Sequence, residues 1–377
     1  MGSALYTLSM RALDELATVL KPAGGGLYLV STGRAEQERL QQRLYGVASE
    51  AQVQAAFEAT LARLASARGV LLGLPSDVGA GFRRGANLGP QAIRTRLLDD
   101  GVDLAAKGVV DVGDVFVVPQ LLHDDMCSPA QLEASRRALY PQVPEAERAA
   151  LPVSPLSIAE RAWRLILQVN PAAKLFALGG DHSCAWPVVR PLDEVLSPRG
   201  PWGIVQSDAH TDLLAERLGV THCFATWSYH ANEVLGRQGR LTQVGIRATR
   251  RPRAHWEGTL GVRQFWAEAV RADPRGALDA VLAHVKATGV TSVFFSNDID
   301  GTDAAWADAT GTPEPDGLDP DWLVELIRRL GREVGLCGGD VMEVAPGLSG
   351  PDGTARTVGL AARYLVETVD AALGSHA

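Results

Sequence analysis

Asp208, His210 and Asp212 stand one residue apart in the run PWGIVQSDAHTD, directly behind the apolar residues Trp202 to Val205. Side chains two apart point the same way along an extended chain, so all three can converge on one point. Carboxylate mixed with imidazole suits a divalent first-row metal, whereas calcium takes oxygens alone. The pattern occurs twice more. Lys174 to Leu178 runs into Gly179-Gly180-Asp181-His182-Ser183, and Val293 to Ser296 runs into Asn297-Asp298-Ile299-Asp300. A capping Asp in a polar turn would account for one such run, but three behind short apolar stretches point to a shared site. Pooled, His182, Asp208, His210, Asp212, Asp298 and Asp300 give two imidazoles and four carboxylates. That is too many ligands for one zinc-like ion, and it suits two divalent ions sharing a carboxylate and activating water near neutral pH.

Pooling the three runs requires strands that end side by side, as they do in an open parallel α/β sheet. From Gly69 onward the pattern predicts strands at 70–74, 109–112, 174–178, 202–205, 243–247, 292–296 and near 338–343. Helices are predicted at 89–98, 130–139, 157–169, 187–195, 319–334 and 354–373. The expected fold is a three-layer α-β-α arrangement with a mostly parallel central sheet. Residues 1–68 read differently, as an amino-terminal helical extension ahead of the alternating pattern at 69–377. A helix over 5–20 is broken by Lys21-Pro-Ala-Gly-Gly-Gly, a strand is expected at 27–30, and one or two helices over 35–65.

The 377 residues suffice for one large α/β domain, and 46% hydrophobic with 21% charged residues is ordinary for a soluble globular chain. A net charge of −8 argues against nucleic acid as a partner. No apolar run is long enough to span a membrane, and the amino terminus does not read as a signal peptide. Cys127, Cys184, Cys223 and Cys337 lie far apart without CxxC spacing, which fits a reduced, cytoplasmic protein.

Taken together, the three runs resemble the metal motifs GGDHS, DAHxD and SxDxDxxD of the ureohydrolase superfamily, the arginases, agmatinases and their relatives. They occur here in the same order as Gly179–Ser183, Asp208–Asp212 and Ser296–Asp303. The resemblance extends over residues 69–371 through Gly73–Asp77, Arg84-Gly-Ala, Gly89–Arg94, Val110–Asp114, Ala309–Pro313 and Met342–Pro346.

The resemblance implies an arginase-like fold and two divalent ions, nickel or manganese. One ion would be held by His182, Asp208, Asp212 and Asp298, the other by Asp208, His210, Asp298 and Asp300. Asp212 counts among the catalytic groups as well. Glu343 matches the position that holds the guanidinium cation, whose planar fork suits a carboxylate. His222 is the expected proton donor to the leaving amine, although Cys223 follows it where the family has Gly. Leu214 stands where arginases carry an Asn for the amino-acid carboxylate, so arginine is not the expected substrate. The implied activity is hydrolysis of a small guanidino compound, free guanidine or a short alkyl-guanidine, to urea and ammonia or an amine. A nickel-dependent guanidine hydrolase branch fits this reading. Agmatinase or guanidinobutyrase is the alternative, and a non-catalytic subunit of a hetero-oligomer a further one. Trp227, Tyr229 and Trp306 could add cation–π attraction or simply pack. A homo-oligomer, trimer or hexamer, is expected.

Overall fold

The apolar runs read as strands are buried on both faces, as a parallel sheet covered by helices demands. In a computed structural model, the protein is described over residues 2–374. Nine strands lie in one sheet: β1 Leu20–Lys21, β2 Gly69–Leu74, β3 Val109–Val115, β4 Lys174–Gly179, β5 Gly203–Ser207, β6 Leu241–Val244, β7 Arg263–Phe265, β8 Val293–Asn297 and β9 Leu336–Val341. Their order is β1-β3-β2-β4-β9-β8-β5-β6-β7, and only the β1–β3 pair is antiparallel.

Successive strand residues feed opposite cores. Leu175, Ile204 and Phe294 join a cluster with Trp163, Ile166 and Val189, from the helices Pro155–Val169 and Trp186–Leu196. Phe176, Val205 and Phe295 join the other, with Leu323, Ile327 and Leu365 from Pro320–Glu333 and Pro351–Leu373. The result is the expected three-layer fold. The helix Pro320–Glu333 shows how sequence sets the boundaries. Asp319 accepts the N–H groups of Asp321 and Trp322, and Pro320 opens the first turn. A cap of this kind stabilises a helix by about 0.5–2 kcal/mol.

The first 68 residues contribute to the first of these cores. The helix Gly2–Val19 places Leu16 in the first cluster, and Glu15 forms a double hydrogen bond with Arg161 at 2.5 and 2.7 Å. Helices form at Arg34–Tyr45 and Glu50–Leu61, as expected. The strand expected at 27–30 does not form. Leu20–Lys21 takes the sheet edge instead, and Tyr28 and Val30 stay 62% and 76% exposed, with no face to bury. The strand expected at 243–247 ends sooner, at Val244, because Gly245 turns into positive φ (93°). β7 and the helices between Trp227 and Ala287 were not anticipated.

Strands β4 and β5 follow one another in sequence but are separated in the sheet by β9 and β8. The winding direction reverses there, and an open α/β sheet places its site at such a point, here the carboxyl ends of β4, β9, β8 and β5.

Candidate metal centre

Each of these four strands delivers one part of the site. His182 follows β4, Asp208 follows β5, Asp298 follows β8 and Glu343 follows β9. Backbone bonds continue past the strand ends and stitch the turns together. The Asp298 N–H reaches the Ser207 carbonyl (2.9 Å), and the Glu343 N–H reaches that of Gly180 (2.8 Å). A Cβ at Gly180 would lie 1.7 Å from the Ser76 carbonyl oxygen, so the turn before His182 tolerates glycine alone. Asp212 and Glu343 both have left-handed backbone, φ 51° and 61°. Such conformations are costly outside glycine and cluster where function demands a side-chain direction.

The six expected ligands do converge. His182 Nδ1 lies 3.1 Å from Asp208 Oδ2, 3.4 Å from Asp212 Oδ2 and 3.0 Å from Asp298 Oδ2. His210 Nδ1 lies 3.1 Å from Asp300 Oδ2 and 3.6 Å from Asp208 Oδ1. Asp208 therefore turns one oxygen to each imidazole. It belongs to both groups whose geometry could hold an ion, His182–Asp208–Asp212 and Asp208–His210–Asp300. Asp298 is in contact on the His182 side only, and its Oδ1 accepts the Asp300 N–H at 2.9 Å.

The donor set fits a cation. Ser296 Oγ donates to Asp340 (3.0 Å) and lies 3.1 Å from His182 Nε2. With its proton given to Asp340, Ser296 accepts from Nε2–H, which leaves the Nδ1 lone pair facing three carboxylates. Nδ1 is buried and has no hydrogen-bond partner. A lone pair facing carboxylates calls for a proton or a metal between them. Burial opposes the charged form of His182, but Asp208 and Asp298 outweigh it and hold its pKa well above the usual value. His210 is pushed up to about 12, burial again opposing and Asp300 and Asp208 prevailing. Burial drives Asp212 and Asp298 well upward, with Asp208 adding to the first and Asp300 and Asp208 to the second. This is a site that holds protons where a metal ion can replace them.

Glu343 is buried beside the ligands, and its Oε1 accepts the His182 N–H at 2.9 Å. Burial, then Asp298 and Asp181, raise its pKa well above the ordinary carboxylate value. Trp227 packs; it is 2% exposed, lies over the His182 ring at 4.6 Å and donates Nε1–H to Asp212 Oδ2 at 3.0 Å. Tyr229 meets His230 edge-on, while Trp306 is half exposed. His222 is not brought to the six ligands. Its ring lies tilted against His123 at 4.3 Å and stacks on Trp186 at 5.8 Å, with His230 nearby. Burial, then His123 and His230, push its pKa down to about 4.

The sequence profile of the Arginase family matches residues 67–369. The chain belongs to the arginase family. Its relatives include the guanidinobutyrase of Pseudomonas aeruginosa, 29% identical over 308 residues that cover 78% of this chain and 83% of that one. The mitochondrial agmatinase of Gallus gallus is 31% identical over 291 residues, 73% of each chain. The solved structure of proclavaminate amidino hydrolase from Streptomyces clavuligerus superposes with a TM-score of 0.62 at 27% identity, covering 82% of this chain and 94% of that one.

As an arginase-family chain it is a hydrolase of carbon–nitrogen bonds, and supports of its site escaped the sequence reading. Asp340, which orients Ser296, is a lone charge inside the apolar run Leu336–Val341, and that contrast was its signal. Thr312 Oγ1 donates to Asp300 Oδ2 at 2.9 Å. Glu314 Oε1 lies 3.9 Å from His210 Nε2. Neither stands in a pattern that marks it before folding.

Proposed function

We propose that this chain hydrolyses the carbon–nitrogen bond of a small guanidino compound, guanidine or a short alkyl-guanidine, releasing urea and ammonia or an amine. The observation that carries the reading is the unpartnered, buried His182 Nδ1 facing three carboxylates, with Asp208 turned to both imidazoles. On this reading His182, Asp208, Asp212 and Asp298 hold one divalent ion, and Asp208, His210, Asp298 and Asp300 hold the other, nickel or manganese. When bound, such a pair activates water for attack on an unreactive carbon.

The remaining steps fall to the protein. Glu343 Oε1 is engaged by the His182 N–H, leaving Oε2 to accept from a planar guanidinium and hold it against the ligands. Trp227 and Ser296 with Asp340 keep Asp212 and His182 in place. His222 is assigned the proton shuttle. The assignment rests on the family resemblance alone, since His222 packs against His123 outside the six-residue cluster and burial, with His123 and His230, holds its pKa low.

Two features support a substrate without a charged tail. Leu213 is buried and Leu214 partly exposed just past Asp212, so that position offers no side-chain donor to a carboxylate. An unpaired charge excluded from water is costly. The relatives favour a second reading, an agmatine or 4-guanidinobutyrate hydrolase, since two bear those names. The Glu314 carboxylate beside His210 is one group that could meet a cationic tail. Within the same proposal, residues 1–68 form an extension to a catalytic domain at 69–377, in a cytoplasmic homo-oligomer, trimer or hexamer. Urea release from guanidine, methylguanidine, 4-guanidinobutyrate, agmatine and arginine, on manganese-loaded and nickel-loaded protein, separates the readings. Guanidine or methylguanidine is expected to lead in kcat/KM. A tenfold lead for agmatine or guanidinobutyrate overturns the small-substrate reading.

A further inference from the structure

Three glutamines occupy matched positions on neighbouring strands, Gln206 on β5, Gln243 on β6 and Gln264 on β7. All three are fully buried. Buried amides on strands that otherwise fill an apolar core are expensive unless every polar atom finds a partner. Here they bond to one another in a single direction. Trp266 Nε1 donates to Gln264 Oε1 (3.0 Å), Gln264 Nε2 to Gln243 Oε1 (2.8 Å), and Gln243 Nε2 to Gln206 Oε1 (2.7 Å). Gln206 Nε2 then donates to Asp208 Oδ2 at 2.7 Å.

The two ends fix the polarity. An indole N–H can only donate and an ionised carboxylate can only accept, so no amide along the row can flip without breaking two bonds. The side branches agree with that assignment. Ser228 Oγ gives a second bond to Gln206 Oε1 (2.7 Å), and Gln243 Nε2 also donates to the Thr211 carbonyl (2.6 Å). The other Asp208 oxygen, Oδ1, accepts the His210 N–H at 2.6 Å. Asp208 is thus held from both sides, with Oδ2 kept toward His182 and Oδ1 toward His210.

We propose that the row Trp266–Gln264–Gln243–Gln206 is a positioning device for the metal centre, holding Asp208 in the orientation that lets it serve both ions. This rests on the two-metal reading above. Gln206 is the positioning residue in contact with the ligand. Gln243 acts through it from the next strand, and Gln264 from the sheet edge, two strand spacings or roughly 10 Å away. A row of amides polarised one way strengthens its terminal bond, so a change at Gln264 reaches Asp208 without touching it.

The test uses full-length Gln206→Met, Gln264→Met and Gln206→Glu. For each, the dissociation constants of manganese are measured by chelator competition, and the melting temperature of the metal-free protein is recorded. Gln206→Met is expected to weaken metal binding ten- to a hundredfold, the range for loss of a group that orients a ligand. Gln264→Met is expected to weaken it at least threefold. Gln206→Glu should be worse than Gln206→Met, because it sets a second negative charge against Asp208. A purely packing role would lower the metal-free melting temperature and leave the dissociation constants alone. Constants within twofold of wild type in Gln206→Met overturn the proposal. So does an effect in Gln206→Met with none in Gln264→Met, because the row would then end at Gln206. If Gln206→Met does not fold, Gln264→Met decides by the same criterion. Wild-type protein that binds no metal overturns the two-metal reading and this proposal together, whereas wild-type binding two ions with unaltered variants overturns only this one.

Discussion

Asp208 turns one oxygen to His182 and the other to His210, and each oxygen also accepts a hydrogen bond from the protein. His182 meets only its own side of the centre. Asp208→Ala should therefore abolish binding of both ions, while His182→Ala should mainly weaken one, as elemental analysis per chain will report. Two ions retained in Asp208→Ala would refute the shared-ligand assignment. Glu343 offers a complementary case. Glu343→Gln keeps an oxygen for the His182 N–H, so metal content should stay full, but the charge facing a guanidinium is gone. A charge-assisted hydrogen bond contributes about 1.5–3 kcal/mol, so kcat/KM should fall more than tenfold. Unchanged kinetics or lost metal would return Glu343 to a structural role. The six proposed ligands were legible because each of the turns that carry them is continuous in sequence. Their supports were not, because Ser296 and Asp340 stand 44 positions apart and meet only across paired strands. Trp227 was visible as a bulky residue near the site, but not as the donor that steadies Asp212.

At the scale of elements, the four strand ends concentrate buried carboxyl groups in one place. Asp181, in the turn after β4, and Asp340, within β9, are both pushed up to about 6, chiefly by burial. A carboxyl raised above its unfolded value of about 4 contributes stability that is full below that pH and lost as pH rises through the folded value. The metal-free protein should accordingly melt lower at pH 7.5 than at pH 5. Metal ions displace protons and bind more tightly as pH rises, so the melting gap between loaded and metal-free protein should widen over the same interval. Thermal scans of chelator-treated and manganese-loaded samples from pH 5 to 8 test this, and a gap that narrows contradicts it. The long buried strands and amphipathic helices were readable from their apolar patterning. β1 and β7, two and three residues long, carry too little pattern to register and exist because a neighbouring strand supplies their partners.

Across the whole molecule, the sheet divides two cores, and the first 68 residues are built into one of them through Leu16, Leu20, Phe57 and Leu61. No helix among the described residues is long and apolar enough to cross a membrane. The pairing of Leu20 with Val115 and Lys21 with Asp114 sets β1 antiparallel along the outer side of β3. A strand edge left bare is a row of open N–H and C=O groups that another chain can join. Cutting away residues 1–33 would uncover the Asp114–Val115 end of that row together with the apolar surface under Leu16 and Leu20. The shortened chain is then expected to lose colloidal stability before it loses its fold, clumping edge to edge at concentrations where the full chain stays dispersed. Light scattering during expression and purification reads this directly, and a clear, dispersed truncation would show that β3 has other protection. In this sense the two residues of β1 act as a bumper against self-assembly.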